Sequence, residues 1–418
     1  MARPTKPAAD RARTVADGAT RTKIARGAAR IIVARGTARI VNDVRQRGDV
    51  AVREWATRLD GLGRAPFAVS PREIDRGWRD TPADVKRAIR LAIRNVRAVA
   101  EAQVPRPFTV RPLPGVRIDS RVAPLARVGC YVPGGRYPLP STVIMTVVPA
   151  RVAGVGEVIV ACPKPSAVVL CAAKEAGATT VLRLGGAQAI AALAYGTRTI
   201  PRVDKIVGPG NAWVAAAKSL VQRDCPIDFE AGPSEIVVYA NSGTPDWIAM
   251  DLIAQAEHDP DARAIFVTAT PALATAVKAA LQRLTPNDGP APLSLARNGQ
   301  IIVKRTAAEA IAAVNAIAPE HLVIDRAEDV ARFTAAGTIF VGEWSAQAAG
   351  DYTTGSNHVL PTAGAARFRG GLSAADFTRV FTVQTLTRAG VRAIGSAAAT
   401  LADAEGLAAH AASIRRRL

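Results

Sequence analysis

The first part of the chain carries apolar residues at every third or fourth position, which is the period of an amphipathic helix. This pattern runs through GTARIVNDVRQRGDVAVREWATRLDG and stops at Asp60-Gly61, where glycine favours the end of a helix. A second stretch with the same period is TPADVKRAIRLAIRNVRAVAEAQ. The N-terminal third is therefore predicted to be helical.

From Val128 onward, short β-branched runs alternate with helical stretches. The runs EVIVACP, TTVLRLGG and DKIVGPG are separated by AVVLCAAKEAG and AQAIAALAYG, and the alternation resumes after Pro233 with EIVVYA and RAIFVTA. Alternation of strand and helix is typical of parallel βαβ units. The predicted fold is therefore α/β, with two Rossmann-like α/β domains built on parallel sheets and small helical appendages at the N- and C-termini.

Domain boundaries follow from where the pattern changes. An N-terminal arm is expected at residues 1–22, and one α/β domain is expected to combine residues 23–129 with residues 236–372. A second α/β domain would occupy residues 130–235. The helical tail at residues 373–418 is too thin to fold alone, so it is expected to dock on another domain or on a partner subunit.

The composition is that of a folded globular protein, with 49% hydrophobic and 21% charged residues. No apolar run reaches the roughly 18 residues that would cross a bilayer, because Pro149 and Arg151 interrupt the best candidate. The basic N-terminus is not followed by an apolar segment, so no secretory signal is expected. The chain is therefore predicted to be independent of membranes.

Four cysteines lack any C-x-x-C spacing and are expected to be reduced, as in a cytoplasmic protein. They are Cys130, Cys162, Cys171 and Cys225. The net charge of +19 makes nucleic acid a possible partner. Arginine is dispersed along the whole chain and aromatic residues make up only 5%, so nucleic-acid binding is disfavoured.

The chain has only four histidines, and all lie in its last two-fifths beside a carboxylate or a carboxamide. They occur in QAEHDP, APEHL, GDYTTGSNHVLPT and AEGLAAH. Histidine carries a proton near neutral pH or ligates a metal, and both tasks use neighbouring acids or amides. This distribution predicts an active site.

Two of these segments suit metal binding. Gln255 and His258 are three positions apart on a predicted helix and would share one face, although a solvated helix end has the same spacing. Asp351 and His358 lie in a glycine-rich loop, where a turn with an Asx hydrogen bond is the structural alternative. The local pattern leaves both alternatives open.

The other two histidines suit proton transfer or ligand contact. Glu320 and His321 place an acid beside a base, although an acidic residue at a helix start would look similar. Glu405 and His410 could reach one ligand if the helix ends near Gly406, and surface residues are the alternative. The turns YVPGGRYPLPS, LGGAQ and VGPGN do not fit G-x-G-x-x-G. The residues alone predict a metal-assisted enzyme with two α/β domains and leave its substrate open.

Taken in order, these loops resemble the histidinol dehydrogenase family from about Val41 to Leu418. The most specific stretches are RVGCYVPGGRYPLPSTVIMTVVPARVAGV, LGGAQAIAALAYGT, VDKIVGPGNAWVAAAK, AGPSEIVV, DLIAQAEHDP, APEHL, GDYTTGSNHVLPT and RFRGGLSAADF. The resemblance implies a zinc enzyme of histidine biosynthesis that oxidises L-histidinol through L-histidinal to L-histidine. Each of two NAD molecules would accept one hydride.

The resemblance also assigns residues. The family's zinc ligands, for one Zn²⁺ per subunit, fall on Gln255, His258, Asp351 and His410. Its catalytic pair falls on Glu320 and His321, where the histidine would accept protons and the glutamate would activate water. The remaining substrate contacts fall on Ser234, His358 and Glu405, beside the zinc ligands and His321.

The family's NAD contacts fall on Tyr131, Gln188 and Asn211, which makes residues 130–235 the expected NAD-binding domain. The other α/β domain would carry the zinc and catalytic residues. The family is a homodimer with an exchanged C-terminal tail, so Glu405 and His410 would serve the site of the neighbouring subunit.

The chain departs from the family in two places. The arm up to about residue 35 matches no pattern, and EVIVACPKPSAVVLCAAKEAG looks shorter than its counterpart. RYPLPS also resembles paralogues that oxidise other amino alcohols or sulfonated diols, whereas His358, Glu405 and the EGLAAH tail favour histidinol. A paralogous zinc and NAD dehydrogenase is thus the nearest alternative, and a basic nucleic-acid-binding protein that retains the fold is a remote one.

Overall fold

The computed structural model describes residues 31–134, 137–230 and 232–418. The arm predicted at residues 1–22 lies outside the described residues. Within these ranges, no helix combines the length and the apolarity that a membrane crossing requires.

Four helices open the described part of the chain. They are α1 (31–47), α2 (Asp49–Asp60), α3 (Pro71–Asp80) and α4 (Ala83–Gln103). The first predicted helix is divided into α1 and α2 because Gly48, with a φ of 54°, takes the left-handed conformation that favours glycine. α2 stops at Gly61, as predicted, and the N–H of the next residue, Leu62, donates to the carbonyl oxygen of Ala56 at 3.2 Å.

A parallel four-stranded sheet follows the helices. Its strands are β3 (Arg127–Tyr131), β4 (Glu157–Ala161), β5 (Thr180–Leu182) and β6 (Lys205–Val207), in the order β5-β4-β3-β6. The helices around it are α5 (Pro140–Val152), α6 (Ala167–Ala176), α7 (Gly186–Tyr195) and α8 (Ala212–Val221). The strand order reverses between β3 and β6, and ligands of such sheets bind at the carboxyl ends near this point.

A parallel five-stranded sheet forms the second α/β unit. Its strands are β7 (Glu235–Tyr239), β8 (Arg263–Thr268), β9 (Gln300–Val303), β10 (His321–Ile324) and β11 (Thr338–Val341), in the order β11-β10-β7-β8-β9. Its helices are α9 (Pro245–Ala256), α10 (Pro271–Leu284), α11 (Ala291–Asn298), α12 (Ala307–Ile317) and α13 (Gln347–Gly350). Short 3₁₀ helices lie at Ala327–Arg332, Ala365–Arg367 and Ala374–Phe377. The two sheets confirm the predicted α/β class.

The N-terminal helices pack on the four-stranded sheet. Val44 of α1 and Val52 of α2 share one hydrophobic cluster with the sheet, and Ile93 of α4 belongs to the other. The clusters of the five-stranded sheet draw their buried residues from 236–333. Residues 23–129 were expected to belong to the second unit, but the apolar faces of their helices cover the faces of the first sheet.

A third, antiparallel sheet carries the C-terminal tail. It contains β1 (Phe108–Leu113), β2 (Val116–Pro124) and β12 (Thr378–Leu386), in the order β1-β2-β12. The tail was expected to be helical throughout, but its segment TRVFTVQTL is rich in β-branched residues and pairs with the whole of β2. The helices α14 (Arg388–Ala404) and α15 (Ala408–Arg415) follow this strand.

Candidate active site

The centre of the site lies at the amino-terminal ends of β7 and β10. These strands pair in parallel with His321 opposite Ile236, which places the residues before each strand side by side. The Ser234 hydroxyl donates to Oε2 of Glu320 at 2.7 Å, and the Glu235 backbone N–H donates to the same oxygen at 2.8 Å. The pairing of two strands therefore assembles the carboxyl group and its two donors.

Glu320 is held in an environment that favours its protonated form. The residue is only 6% exposed. Burial raises the pKa of Glu320 to about 8, although the hydrogen bonds from Ser234 and Glu235 oppose the increase. A carboxyl group with a pKa this close to neutrality can hold a proton or release one during a reaction.

His321 presents an unprotonated ring nitrogen to the site. Its Nδ1 lies 3.2 Å from the carbonyl oxygen of Glu235, and a carbonyl only accepts, so Nδ1 carries the proton. Burial lowers the pKa of His321 to about 4, against the opposing charge of Asp351. Its neutral ring therefore offers Nε2 as a proton acceptor, 3.8 Å from Oδ1 of Asp351.

Asp351, the residue after α13, is surrounded by three histidines. Besides His321, Nε2 of His258 lies 4.0 Å from Oδ2, and Nδ1 of His358 lies 3.9 Å from Oδ1. His358 Nδ1 is also 2.9 Å from the Asp351 carbonyl oxygen and donates to it. Gln347 donates from Nε2 to Oδ2 of Asp351 at 2.9 Å, which fixes the plane of the carboxylate.

Gln255 contributes an amide oxygen at the end of α9. Its side chain is 0% exposed, and Nε2 donates to the Ser234 hydroxyl at 2.6 Å. Its Oε1 is buried without a partner among the described residues. The sequence pattern predicted that His258 lies on the same helix face as Gln255. Because α9 ends at Ala256, His258 instead lies just beyond the helix. A buried carbonyl oxygen without a donor is costly, so this atom is suited to a ligand.

Gln255, His258 and Asp351 fit a divalent cation. They supply an amide oxygen, an imidazole nitrogen and a carboxylate, which is a mixed set that zinc accepts. The 4.0 Å between His258 Nε2 and Asp351 Oδ2 can be bridged by an ion at the ~2.1 Å that zinc prefers. The unpartnered Oε1 of Gln255 would supply the third ligand atom.

The fourth predicted ligand is not at this place within one chain. His410 in α15 and Glu405 after α14 are both exposed. In the described part of the chain, no three His, Cys, Asp or Glu side chains are arranged to hold a metal ion. Of the four predicted ligands, His258 and Asp351 lie 4.0 Å apart, Gln255 is buried at the end of α9, and His410 is exposed on α15.

The predicted cofactor contacts lie at the carboxyl edge of the four-stranded sheet. Tyr131 ends β3, and its hydroxyl accepts from the backbone N–H of Gly186 at 3.1 Å. Gln188 lies in the first turn of α7, which also begins at Gly186. Asn211 caps α8 after β6, with Oδ1 accepting from the Trp213 N–H at 3.0 Å. All three predicted contacts thus lie where a doubly wound sheet binds its ligand.

A buried ion pair beside this edge was missed by the sequence analysis. Lys218 and Asp228 have 2% and 0% of their side chains exposed and bond to each other. Lys218 Nζ also donates to the Gly208 carbonyl oxygen at 2.9 Å, while Asp228 Oδ2 accepts from the Gly208 N–H at 2.8 Å. The pair thereby fixes the turn that leads to Asn211. Its sequence signal is that Lys218 lies four positions after the buried Val214 of α8.

Comparison with known proteins identifies the family. The family model for histidinol dehydrogenase matches residues 27–418. The histidinol dehydrogenases of Methanothermobacter thermautotrophicus and Cereibacter sphaeroides are 46% and 47% identical over 391 residues, which is 90% of this chain and 92% and 90% of theirs.

Solved structures agree with this match. The crystal structure of histidinol dehydrogenase from Elizabethkingia anophelis aligns with a TM-score of 0.87 at 31% identity over 91% of each chain. A lactaldehyde dehydrogenase at 10% identity, with a TM-score of 0.51 over 85% of this chain and 92% of that one, shares the fold alone. The resemblance carried by the loops is confirmed, and the chain belongs to the histidinol dehydrogenase family.

Proposed function

We propose that the protein is a zinc- and NAD-dependent dehydrogenase that oxidises L-histidinol through L-histidinal to L-histidine. Relatives of that name at 46% and 47% identity support the proposal. The observation that carries it is the buried His321, whose unprotonated Nε2 lies 3.8 Å from Asp351 and whose neighbour Glu320 is buried with its pKa raised toward neutrality. This combination suits a reaction that removes protons twice and uses water once.

Binding of the substrate requires a metal and a polar pocket. Zinc would be held by Gln255, His258, Asp351 and the partner subunit's His410, and when bound it would hold and orient the imidazole and amine of the substrate. His358 donates from Nδ1 to the Asp351 carbonyl oxygen, so its Nε2 is left for the substrate. Ser234, already bonded to both Glu320 and Gln255, links the proposed metal ligand to the proposed catalytic acid.

In the first oxidation, His321 would accept the proton of the substrate hydroxyl. The Glu235 carbonyl oxygen holds the Nδ1 proton, so Nε2 is the nitrogen that receives it. As that proton leaves, the carbon transfers a hydride to the first NAD, and an aldehyde forms. The nearby Asp351 carboxylate stabilises the imidazolium that results.

In the second oxidation, Glu320 would deliver water to the aldehyde. Its carboxyl group must lose a proton to act as a base, and its pKa of about 8 makes this loss accessible near neutral pH. His321 would again accept a proton, this time from the hydrated aldehyde, and a second NAD would take the hydride. The product is the carboxylate of L-histidine.

The exposed tail supports a homodimer. Glu405 and His410 lie in solvent on a segment that joins the rest of the chain through β12. We propose that this tail reaches across a dimer and contributes both side chains to the partner's site. The four cysteines are unbonded and buried, which is consistent with a proposed cytoplasmic location.

The first test is NADH formation from L-histidinol by purified, zinc-loaded protein, with the product identified and a chelator control in parallel. Chelator-sensitive formation of histidine is expected. Stoichiometric zinc without turnover of L-histidinol would instead favour the paralogous dehydrogenase of another alcohol. A gel shift at physiological salt should show no nucleic-acid complex, because the positive charge is dispersed.

The exchanged tail has its own test. His258→Ala and His410→Ala should each be inactive alone, but co-expression should restore activity. In a mixed dimer with exchanged tails, one site carries both substitutions and the other carries neither. Random assembly would then give about a quarter of the native activity, since half of the dimers are mixed. A tail that serves its own chain would leave every site defective, and no activity would return.

A further inference from the structure

Asp60 is a charged residue of the N-terminal helices that reaches the predicted cofactor edge. It ends α2 and lies partly buried against the loop that precedes α7. Its Oδ2 accepts two hydrogen bonds at 3.0 Å, one from the backbone N–H of Gly185 and one from Nε2 of Gln188. The contact is close, because a Cβ on Gly185 would lie 3.0 Å from Oδ1 of Asp60.

This contact determines how the amide of Gln188 is oriented. A carboxylate only accepts hydrogen bonds, so the nitrogen of Gln188 must face Asp60 and its oxygen must face the other way. That oxygen, Oε1, is buried and has no partner among the described residues. Gly186 leaves room beside it, because a Cβ there would lie 2.9 Å from Oε1. The amide therefore offers an unsatisfied acceptor next to a glycine.

Tyr131 offers the complementary group. Its hydroxyl accepts from the Gly186 N–H, so its own proton is available to a ligand. An acceptor oxygen of Gln188 and a donor hydroxyl of Tyr131 thus both lie beside Gly186. A sugar hydroxyl both donates and accepts, so it matches this pair. Burial raises the pKa of Asp60, while the bonds from Gly185 and Gln188 and the charge of Lys164 favour its ionised form.

We propose that Asp60 is a positioning residue of the cofactor site: it holds the Gln188 amide so that its oxygen receives a ribose hydroxyl of NAD. The inference rests on the proposed function, which places NAD at Tyr131, Gln188 and Asn211. Asp60 does not touch the reacting atoms. It connects the N-terminal helix α2 to the recognition of the cofactor.

The test is a cycle of variants in the zinc-loaded, full-length protein, with NADH affinity measured by fluorescence titration. In Asp60→Ala, Nε2 of Gln188 loses its acceptor, so the amide is no longer held with its oxygen toward the ribose hydroxyl. NADH affinity should fall about tenfold, which corresponds to ~1.4 kcal/mol. The KM for L-histidinol should not change, because the zinc site is untouched.

The double variant tests whether Asp60 acts through Gln188. Gln188→Ala alone should also lose NADH affinity, because the acceptor for the ribose hydroxyl is gone. Adding Asp60→Ala to Gln188→Ala should lower NADH affinity no further, because Asp60 acts only on the Gln188 amide. A residue that only stabilised the fold would lower the affinity again.

Asp49→Ala is the matched control. Asp49 begins α2 and accepts from the Thr199 hydroxyl at 2.8 Å, so it also joins this helix to the first α/β unit. Its substitution should leave NADH affinity unchanged. If Asp60→Ala binds NADH as well as the native protein, or if the double variant binds NADH more weakly than Gln188→Ala, the inference is wrong. Failure of the native protein to bind NADH would instead overturn the proposed function.

Discussion

Substitution of Lys218 by methionine should destabilise the protein strongly although it changes little in shape. Lys218 and Asp228 have 2% and 0% of their side chains exposed, so neither charge is solvated by water. Methionine fills the space of the lysine stem but cannot neutralise Asp228. It also removes the donor to the Gly208 carbonyl oxygen. The variant therefore leaves Asp228 without a counter-charge, with only the backbone N–H groups of Gly208 and Phe229 as donors, and leaves the Gly208 carbonyl oxygen without the lysine donor.

The expected loss is ~3–5 kcal/mol of unfolding free energy, which is typical when one partner of a buried ion pair is removed. An exposed pair gives the comparison. Arg305 and Glu309 lie 3.0 Å apart with 90% and 40% of their side chains exposed, so Arg305→Met should cost below ~1 kcal/mol. The double variant of Lys218→Met with Asp228→Asn should recover part of the loss, because no charge then remains buried.

The assay is urea denaturation followed by circular dichroism at one fixed protein concentration, since the proposed dimer would make the unfolding free energy depend on concentration. The decisive comparison is the difference between the Lys218 and Arg305 variants. Two results would refute the reasoning from buried charge. One is a Lys218→Met protein as stable as Arg305→Met. The other is a double variant that loses more unfolding free energy than the two single variants lose together.

Three further outcomes are expected. Glu320→Gln should slow oxidation of L-histidinal by ~10²–10⁴-fold and spare oxidation of the alcohol, because only the second step uses water; stopped-flow NADH formation with each substrate measures this, and equal losses would contradict it. His258→Ala should release zinc and abolish activity while far-UV circular dichroism stays native; a zinc-free variant with full activity would contradict the ligand assignment. Gly208→Ala should weaken NADH binding, because the new Cβ would collide with the Tyr131 carbonyl oxygen and because the φ of +113° at this position is strained for alanine. Unchanged NADH affinity in a fluorescence titration would disprove this.

Local patterns were sufficient for the main elements of the fold. EIVVYA predicted a strand, and all five residues of β7 are buried, as expected for a strand covered on both faces. The helix boundary at Gly61 was also visible, because glycine is the residue that takes a left-handed helix end. The strand in the tail was not predicted, because its structure depends on pairing with β2, which lies far away in sequence.

In the candidate active site, too, some features follow from local sequence and others from contacts between distant segments. Glu320 and His321 are adjacent in sequence, and Gln255 and His258 are three positions apart, so the role proposed for each pair could be predicted from local sequence. The bond from Ser234 to Glu320 could not, because it depends on the register of β7 and β10. A contact between distant segments, such as that of Asp60 with Gln188, follows from packing and leaves no local pattern.

Pairing between β2 and β12 also orders events during synthesis on the ribosome. β2 is made early, but its partner Thr378–Leu386 emerges only after both α/β units. Because synthesis adds about 5–20 residues per second, the edge of β2 that later pairs with β12 stays unpaired on the order of tens of seconds. An open edge can recruit strands from other nascent chains. A chain that terminates before β12 would therefore keep this edge of β2 unpaired and be prone to aggregation, so the last strand also protects the chain from aggregation.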